Sequence, residues 1–163
     1  MTREQYIASV EGCQRALRRF LTALCCGDSF LADDIAQEAF VKAYIHIDSL
    51  EDATKFRPWI FRIAYNVYIS NKRLQKPTTD IEETYHIAGK DESDDAFRYQ
   101  QLYMAMDKLA EKERTAVLLF YLENYSVKEI AEIAEVGEDA IRQRLSRGRQ
   151  HLREILTLRK NEY

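Results

Sequence analysis

Apolar residues recur at helical spacing through most of this chain. Within 4–25, Tyr6, Val10, Leu17, Leu21 and Leu24 fall near one face, the period of an amphipathic helix. Gly27-Asp28-Ser29 interrupts it. A second helix is predicted over 31–47, where Ile35, Ala36, Ala39, Phe40 and Ala43 can point inward. A polar loop at 48–55 leads to a third helix over 57–74, with Pro58 in its first turn, where a missing N–H costs nothing. Ile60, Ile63, Val67 and Leu74 line its inner side, and Arg62, Tyr65, Ile69 and Lys72 the other. Pro77 disfavours helix at Lys76, and 77–93 has no clear apolar period. The helical pattern returns over 95–109, 111–122, 127–134 and 138–158. The fold expected is all-α: two small helical domains, 1–76 and 94–163, joined by a linker at 77–93 with room for a short helix.

Composition agrees with that reading. Five Gly and two Pro in 163 residues leave few helix breakers. The first residues, Met1-Thr2-Arg3-Glu4-Gln5, lack the basic start and apolar run of a secretory leader. No apolar stretch is long enough to cross a bilayer, so a soluble, cytoplasmic protein without membrane insertion is expected. Cys13, Cys25 and Cys26 are an odd set with two adjacent members, a poor framework for disulfides or zinc. Buried free thiols are the expectation.

Net charge is −3, but the average hides a pattern. From 55 to 76 there are six basic residues and no acid, and from 141 to 160 seven basic residues against Glu154. Between them, 80–95 holds seven acids against Lys90, which makes the linker acidic. Two basic segments separated by an acidic one suggest two nucleic-acid contacts.

The second basic segment closes a recognisable motif. Ser126 followed by Glu129 is a capping box that starts a helix at 127. Ile130, Ala131 and Ala134 supply its inner face, and Val136 plugs the turn that follows. Ile141, Leu145, Gly148 and Leu152 share one side of the next helix. Gly148 is therefore expected to face the core and permit close helix approach. The opposite side carries Asp139, Gln143, Ser146, Arg147 and Gln150, flanked by Arg142. This is the form of a helix-turn-helix, whose second helix enters a major groove. Arg and Gln suit that place because each can make paired hydrogen bonds to a base edge. The competing description is a helical hairpin with a solvated basic face.

The N-terminal half combines cations with aromatics. In Phe56-Arg57-Pro58-Trp59-Ile60-Phe61-Arg62-Ile63-Ala64-Tyr65-Asn66, cations can follow a phosphate backbone while aromatics stack on exposed bases. Trp59 and Phe61 also suit a core. Upstream, Asp34, Gln37, Glu38 and Val41 form an acidic outer face with an apolar spot.

Taken together, these segments resemble the extracytoplasmic-function (ECF) sigma factors of RNA polymerase. Asp33–Tyr44 is similar to the family's region two helix, Phe56 and Trp59–Asn66 to its melting and −10 recognition helix, and 109–156 to its region four. The resemblance implies a factor that binds core RNA polymerase and promoter DNA, with an anti-sigma factor as a further partner by family habit. It implies that Asp34, Gln37 and Glu38 grip the polymerase clamp helices. It implies that the loop 49–56 captures a flipped base. Lys55, Phe56, Arg57, Arg62, Tyr65, Asn66 and Lys72 would serve −10 binding and melting. Arg142, Gln143, Ser146 and Arg147 would read the −35 element. There are departures: the capture loop, Leu50-Glu51-Asp52-Ala53-Thr54, has no Gly; Glu135 stands where a turn Gly is common; Gly137 stands where Ser or Thr often caps; and Ala140 replaces a common hydroxyl residue.

Two rivals remain at this point. A stand-alone helix-turn-helix regulator explains the C-terminus but leaves the Arg62, Tyr65 and Asn66 face idle. A helical enzyme lacks chemistry, since His46, His86 and His151 are scattered and neither a phosphate loop nor a metal-spaced cluster occurs. No enzymatic activity, cofactor or metal is expected.

Overall fold

The computed structural model describes residues 1–74 and 94–160. The linker expected at 77–93, with any helix in it, and the Leu74 side chain lie outside the described residues. Among those described, seven α-helices make up two packed groups. The first group is α1 (Arg3–Leu24), α2 (Ser29–Ile45) and α3 (Phe56–Leu74). The second is α4 (Asp94–Asp107), α5 (Glu111–Val117), α6 (Val127–Ala134) and α7 (Glu138–Lys160).

Local chemistry sets the boundaries. Thr2 and Gln5 form a capping box at the start of α1. The Asp28 side chain accepts from the Leu31 N–H at 3.1 Å, so α2 begins two residues before the expected start at 31. Between α2 and α3 the chain makes two 3₁₀ turns, Ile47–Ser49 and Ala53–Lys55. Asp52 accepts from Thr54 N at 3.0 Å and thereby fixes the second of them. The helix expected over 111–122 comes in two parts. After α5 the chain widens into one π-helical turn, Leu118–Leu122, with Glu123 N donating to Leu118 O at 3.2 Å.

Four alanines of α2 (Ala32, Ala36, Ala39 and Ala43) are buried, and their small side chains let α1 and α3 pack close on either side. Leu17, Phe20, Leu21, Ile35, Ile60, Phe61 and Tyr68 fill that core completely. In the second group Leu119, Ile130, Ile133, Ile141 and Leu145 do the same. Gly148 faces this core as expected: a Cβ there would sit 2.7 Å from Val117 Cγ2. One apolar cluster runs through both groups.

The second group packs on α3, which is therefore covered on two sides. This corrects the expectation for Tyr65, which is 7% exposed and sits beside Glu111, Thr115 and Arg144 of the second group. Phe56 is likewise buried, at 4%, with its ring centroid 5.9 Å from that of Tyr6 and 5.8 Å from that of Trp59.

Candidate nucleic-acid interface

The helix-turn-helix is built from its caps outward. Ser126 Oγ accepts from Glu129 N, and Glu129 Oε1 accepts from Ser126 N, both at 3.1 Å. α6 ends at Glu135, which takes the left-handed conformation (φ 58°, ψ 43°). That is the reason glycine is favoured here, since a side chain costs energy in this region. Val136 is partly buried in the turn and donates its N–H to Ala131 O at 3.1 Å. Ile141 and Leu145 then anchor α7 to the core. This leaves Arg142, Gln143, Ser146, Arg147 and Gln150 exposed on the outer face. Arg142 meets Asp139 at 2.9 Å, with both side chains in solvent, and an exposed pair of this kind contributes little and yields easily to a better partner.

The α3 face is mixed. Lys55, Arg57, Arg62, Asn66 and Lys72 are exposed, and Lys72 Nζ lies 5.7 Å from the centroid of the Tyr68 ring. Phe56 and Tyr65 are not on this surface. Phe56 anchors the loop 49–56 from beneath, and Tyr65 lies under the second group. On α2, Asp34, Gln37, Glu38 and Val41 all face solvent, with Lys42 Nζ 3.2 Å from Glu38 Oε1. Phe30, Tyr44 and Ile45 add apolar surface to that helix, and Phe30 is 70% exposed.

Several contacts and one buried residue escaped the sequence reading. Glu135 Oε1 accepts from Arg62 Nε at 2.8 Å and from Asn66 Nδ2 at 3.3 Å. This holds the carboxyl below its ordinary range, the Asn66 and Arg62 hydrogen bonds being the largest causes. Glu123 is enclosed by Arg19, with Nη2 at 3.1 Å, and by Arg57, with Nη2 at 3.7 Å. Burial pushes its carboxyl up despite the two cations. Ile133 is buried and, with Glu132, lines a cavity of about 160 Å³ whose other walls are Leu50, Lys55, Pro58, Trp59 and Arg62. The sequence signal for Ile133 was its place in α6, one position away from the expected inner face. Neither acid's pairing gave a signal, because the partners are 66 to 104 positions away.

The three cysteines are free. Burial raises all three thiols, Cys25 to about 12 and Cys26 to about 11, so they are un-ionised and weakly nucleophilic at neutral pH. Among the described residues no group of His, Cys, Asp and Glu could hold a metal ion. No described helix is long and apolar enough to cross a membrane.

An exposed polar face on the second helix of a helix-turn-helix and a basic face on a separate three-helix unit define a two-domain DNA-binding protein. Comparison with known families narrows this. Residues 10–78 match the model for sigma-70 region 2, and residues 99–152 match that for sigma-70, region 4. The chain is 33% identical over 147 residues to the ECF RNA polymerase sigma factor SigW of Bacillus subtilis, covering 80% of this chain and 78% of that one. It is 32% identical over 142 residues to SigM of the same organism, covering 84% and 86%. Two solved structures share the fold. The sigma factor RpoE in complex with the anti-sigma factor NepR from Bartonella quintana has a TM-score of 0.74 at 23% identity, over 93% of this chain and 96% of that one. CnrH in complex with the cytosolic domain of CnrY has a TM-score of 0.73 at 21% identity, over 94% and 88%.

The chain belongs to the ECF family of RNA polymerase sigma factors. It binds core RNA polymerase and directs promoter-specific transcription initiation. The stand-alone regulator reading falls, because the first domain is a sigma region 2 and not a ligand-sensing or dimerising unit. Sigma factors are initiation factors without a catalytic role.

Proposed function

We propose the following division of labour. Residues 1–76 form the polymerase-binding, −10 domain, 77–93 the linker and 94–163 the −35 domain. Asp34, Gln37 and Glu38 on α2 grip the polymerase. Arg142, Gln143, Ser146 and Arg147 on α7 read duplex DNA at −35. Lys55, Arg57, Arg62, Asn66 and Lys72 hold the melted −10 strand, and the loop 49–56 captures a flipped base. Phe56 acts as the anchor of that loop, and Tyr65 reaches DNA only when the second domain moves off α3. Both fold neighbours were solved in complex with a partner protein, one of them an anti-sigma factor, which supports an anti-sigma partner for this chain. The protein works in the cytoplasm, where the polymerase is.

The observation that carries this reading is the presence of two distinct DNA-compatible faces in one chain. One is on a groove-reading helix, the other beside aromatics and a loop. Duplex reading and strand capture differ energetically, because flipping a base costs a few kcal/mol only while the base is stacked and paired. With core polymerase, Arg147→Ala should weaken promoter recognition by about 1–3 kcal/mol if a paired base contact is lost, on duplex and pre-melted templates alike. Asn66→Ala should slow open-complex formation on duplex DNA and be rescued by pre-melting. Identical responses of the two variants to pre-melting would overturn the assignment.

A further inference from the structure

Three arginines of the first domain, Arg19, Arg57 and Arg62, are already paired with acids of the second. Arg62 and Asn66 bond Glu135 in the turn of the helix-turn-helix. Arg57, with Arg19, meets Glu123 just beyond the π turn. Both carboxylates belong to the second domain and all four of their partners to the first. A guanidinium binds carboxylate and phosphate oxygens with the same fork of donors, so each acid sits where a DNA phosphate could. The cover is also steric. Glu132 and Ile133 of α6 wall the cavity formed by Leu50, Lys55, Pro58, Trp59 and Arg62 beside the loop 49–56. The Tyr125 ring stands edge-on to Phe61 with centroids 5.4 Å apart. Arg114 reaches across to Leu24 O, the last residue of α1, at 3.1 Å.

We propose that the free chain is autoinhibited by its own second domain: Glu135 and Glu123 stand in for DNA phosphates on Arg62, Asn66 and Arg57, and α6 closes the capture loop. The closed form lowers apparent affinity for single-stranded DNA by the fraction of molecules that are open. Sites that must bind DNA in the initiation complex are thereby silent in the free protein. This rests on the reading of α3 as the −10 surface.

The test uses the full chain. Glu123→Gln combined with Glu135→Gln removes both charges while keeping side-chain size. The double variant should give a larger radius of gyration in small-angle scattering. It should bind a fluorescein-labelled, mixed-sequence single-stranded oligonucleotide at least about fivefold more tightly than wild type, the low end of ordinary coupling between sites. Adding Arg62→Ala should abolish that gain. A second pair guards against misfolding: Glu135→Arg alone should expand the chain, and Glu135→Arg with Arg62→Glu should compact it again. Unchanged scattering in both the double variant and Glu135→Arg would overturn the clasp. Expansion without tighter oligonucleotide binding would overturn the inhibition. Failure of the underlying reading shows separately: Arg62→Ala would then leave open-complex formation by the polymerase holoenzyme unaltered, whatever the free chain does.

Discussion

Arg114 is 6% exposed, and a buried guanidinium is stable only when its donors are satisfied. It directs them to backbone carbonyls: Met106 O at 2.9 Å, Leu24 and Leu109 O at 3.1 Å, and Asp107 O at 3.4 Å. These lie at the C-terminal ends of α1 and α4, where a cation is also favoured by the helix dipole. Arg114→Met should therefore cost more than about 2 kcal/mol, since several buried carbonyls lose a charged donor together. Arg114→Lys should rescue little of it, because one ammonium cannot span the fork. Thermal unfolding followed by circular dichroism measures both. None of this was legible in the sequence, where Arg114 is one cation in a charged run. The exposed placement of Arg147 and Gln143 was legible because α7 follows a simple period with one buried side. Tyr65 is buried where the period placed it outside, because α3 has two buried sides and a period argument allows one.

At the scale of elements, the sequence announces what is locally encoded. The Ser126–Glu129 box, Pro58 in the first turn of α3 and the apolar side of α7 all act within a few residues, and each element formed where they put it. The π turn at Leu118–Leu122 has no such code, and the residues just beyond it, Glu123 and Tyr125, meet Arg19, Arg57 and Phe61 of the first domain. Gly148 lies between these cases. Its place on the inner face was readable, and its contact with Val117 Cγ2 gives the reason. Gly148→Ala should gain about 1 kcal/mol of helix propensity. It should lose more than that to overpacking, typically about 1–3 kcal/mol, because α5 would have to move away. The net expected result is a lower melting temperature. Gly148→Ala with Val117→Ala should recover part of the loss by making room, and a double-mutant cycle on thermal stability checks it.

For the whole molecule, the continuous apolar cluster matters more than the division into two domains. Tyr68, Phe61 and Ile133 are each buried in a layer that both halves share. The free chain should therefore unfold as one cooperative unit, with calorimetric and van't Hoff enthalpies in agreement. Two resolved transitions would show that the halves melt independently. This layer was not legible from the chain alone, since two amphipathic domains and an acidic linker describe separate bodies equally well. Contacts across it join positions far apart in the chain, and only the three-dimensional structure brings them together.

The two clasps between the domains differ in depth, and depth fixes the order in which they let go. The Glu135 side chain is 49% exposed, whereas that of Glu123 is fully enclosed. Dissolved ions screen charges in solvent over about 8 Å at physiological strength and reach buried pairs far less. Rising ionic strength thus unfastens the turn first, while Glu123 still pins the other end beside Arg19 and Arg57. Opening begins as a crack along α6, and Arg62 and Asn66 are the first residues it uncovers.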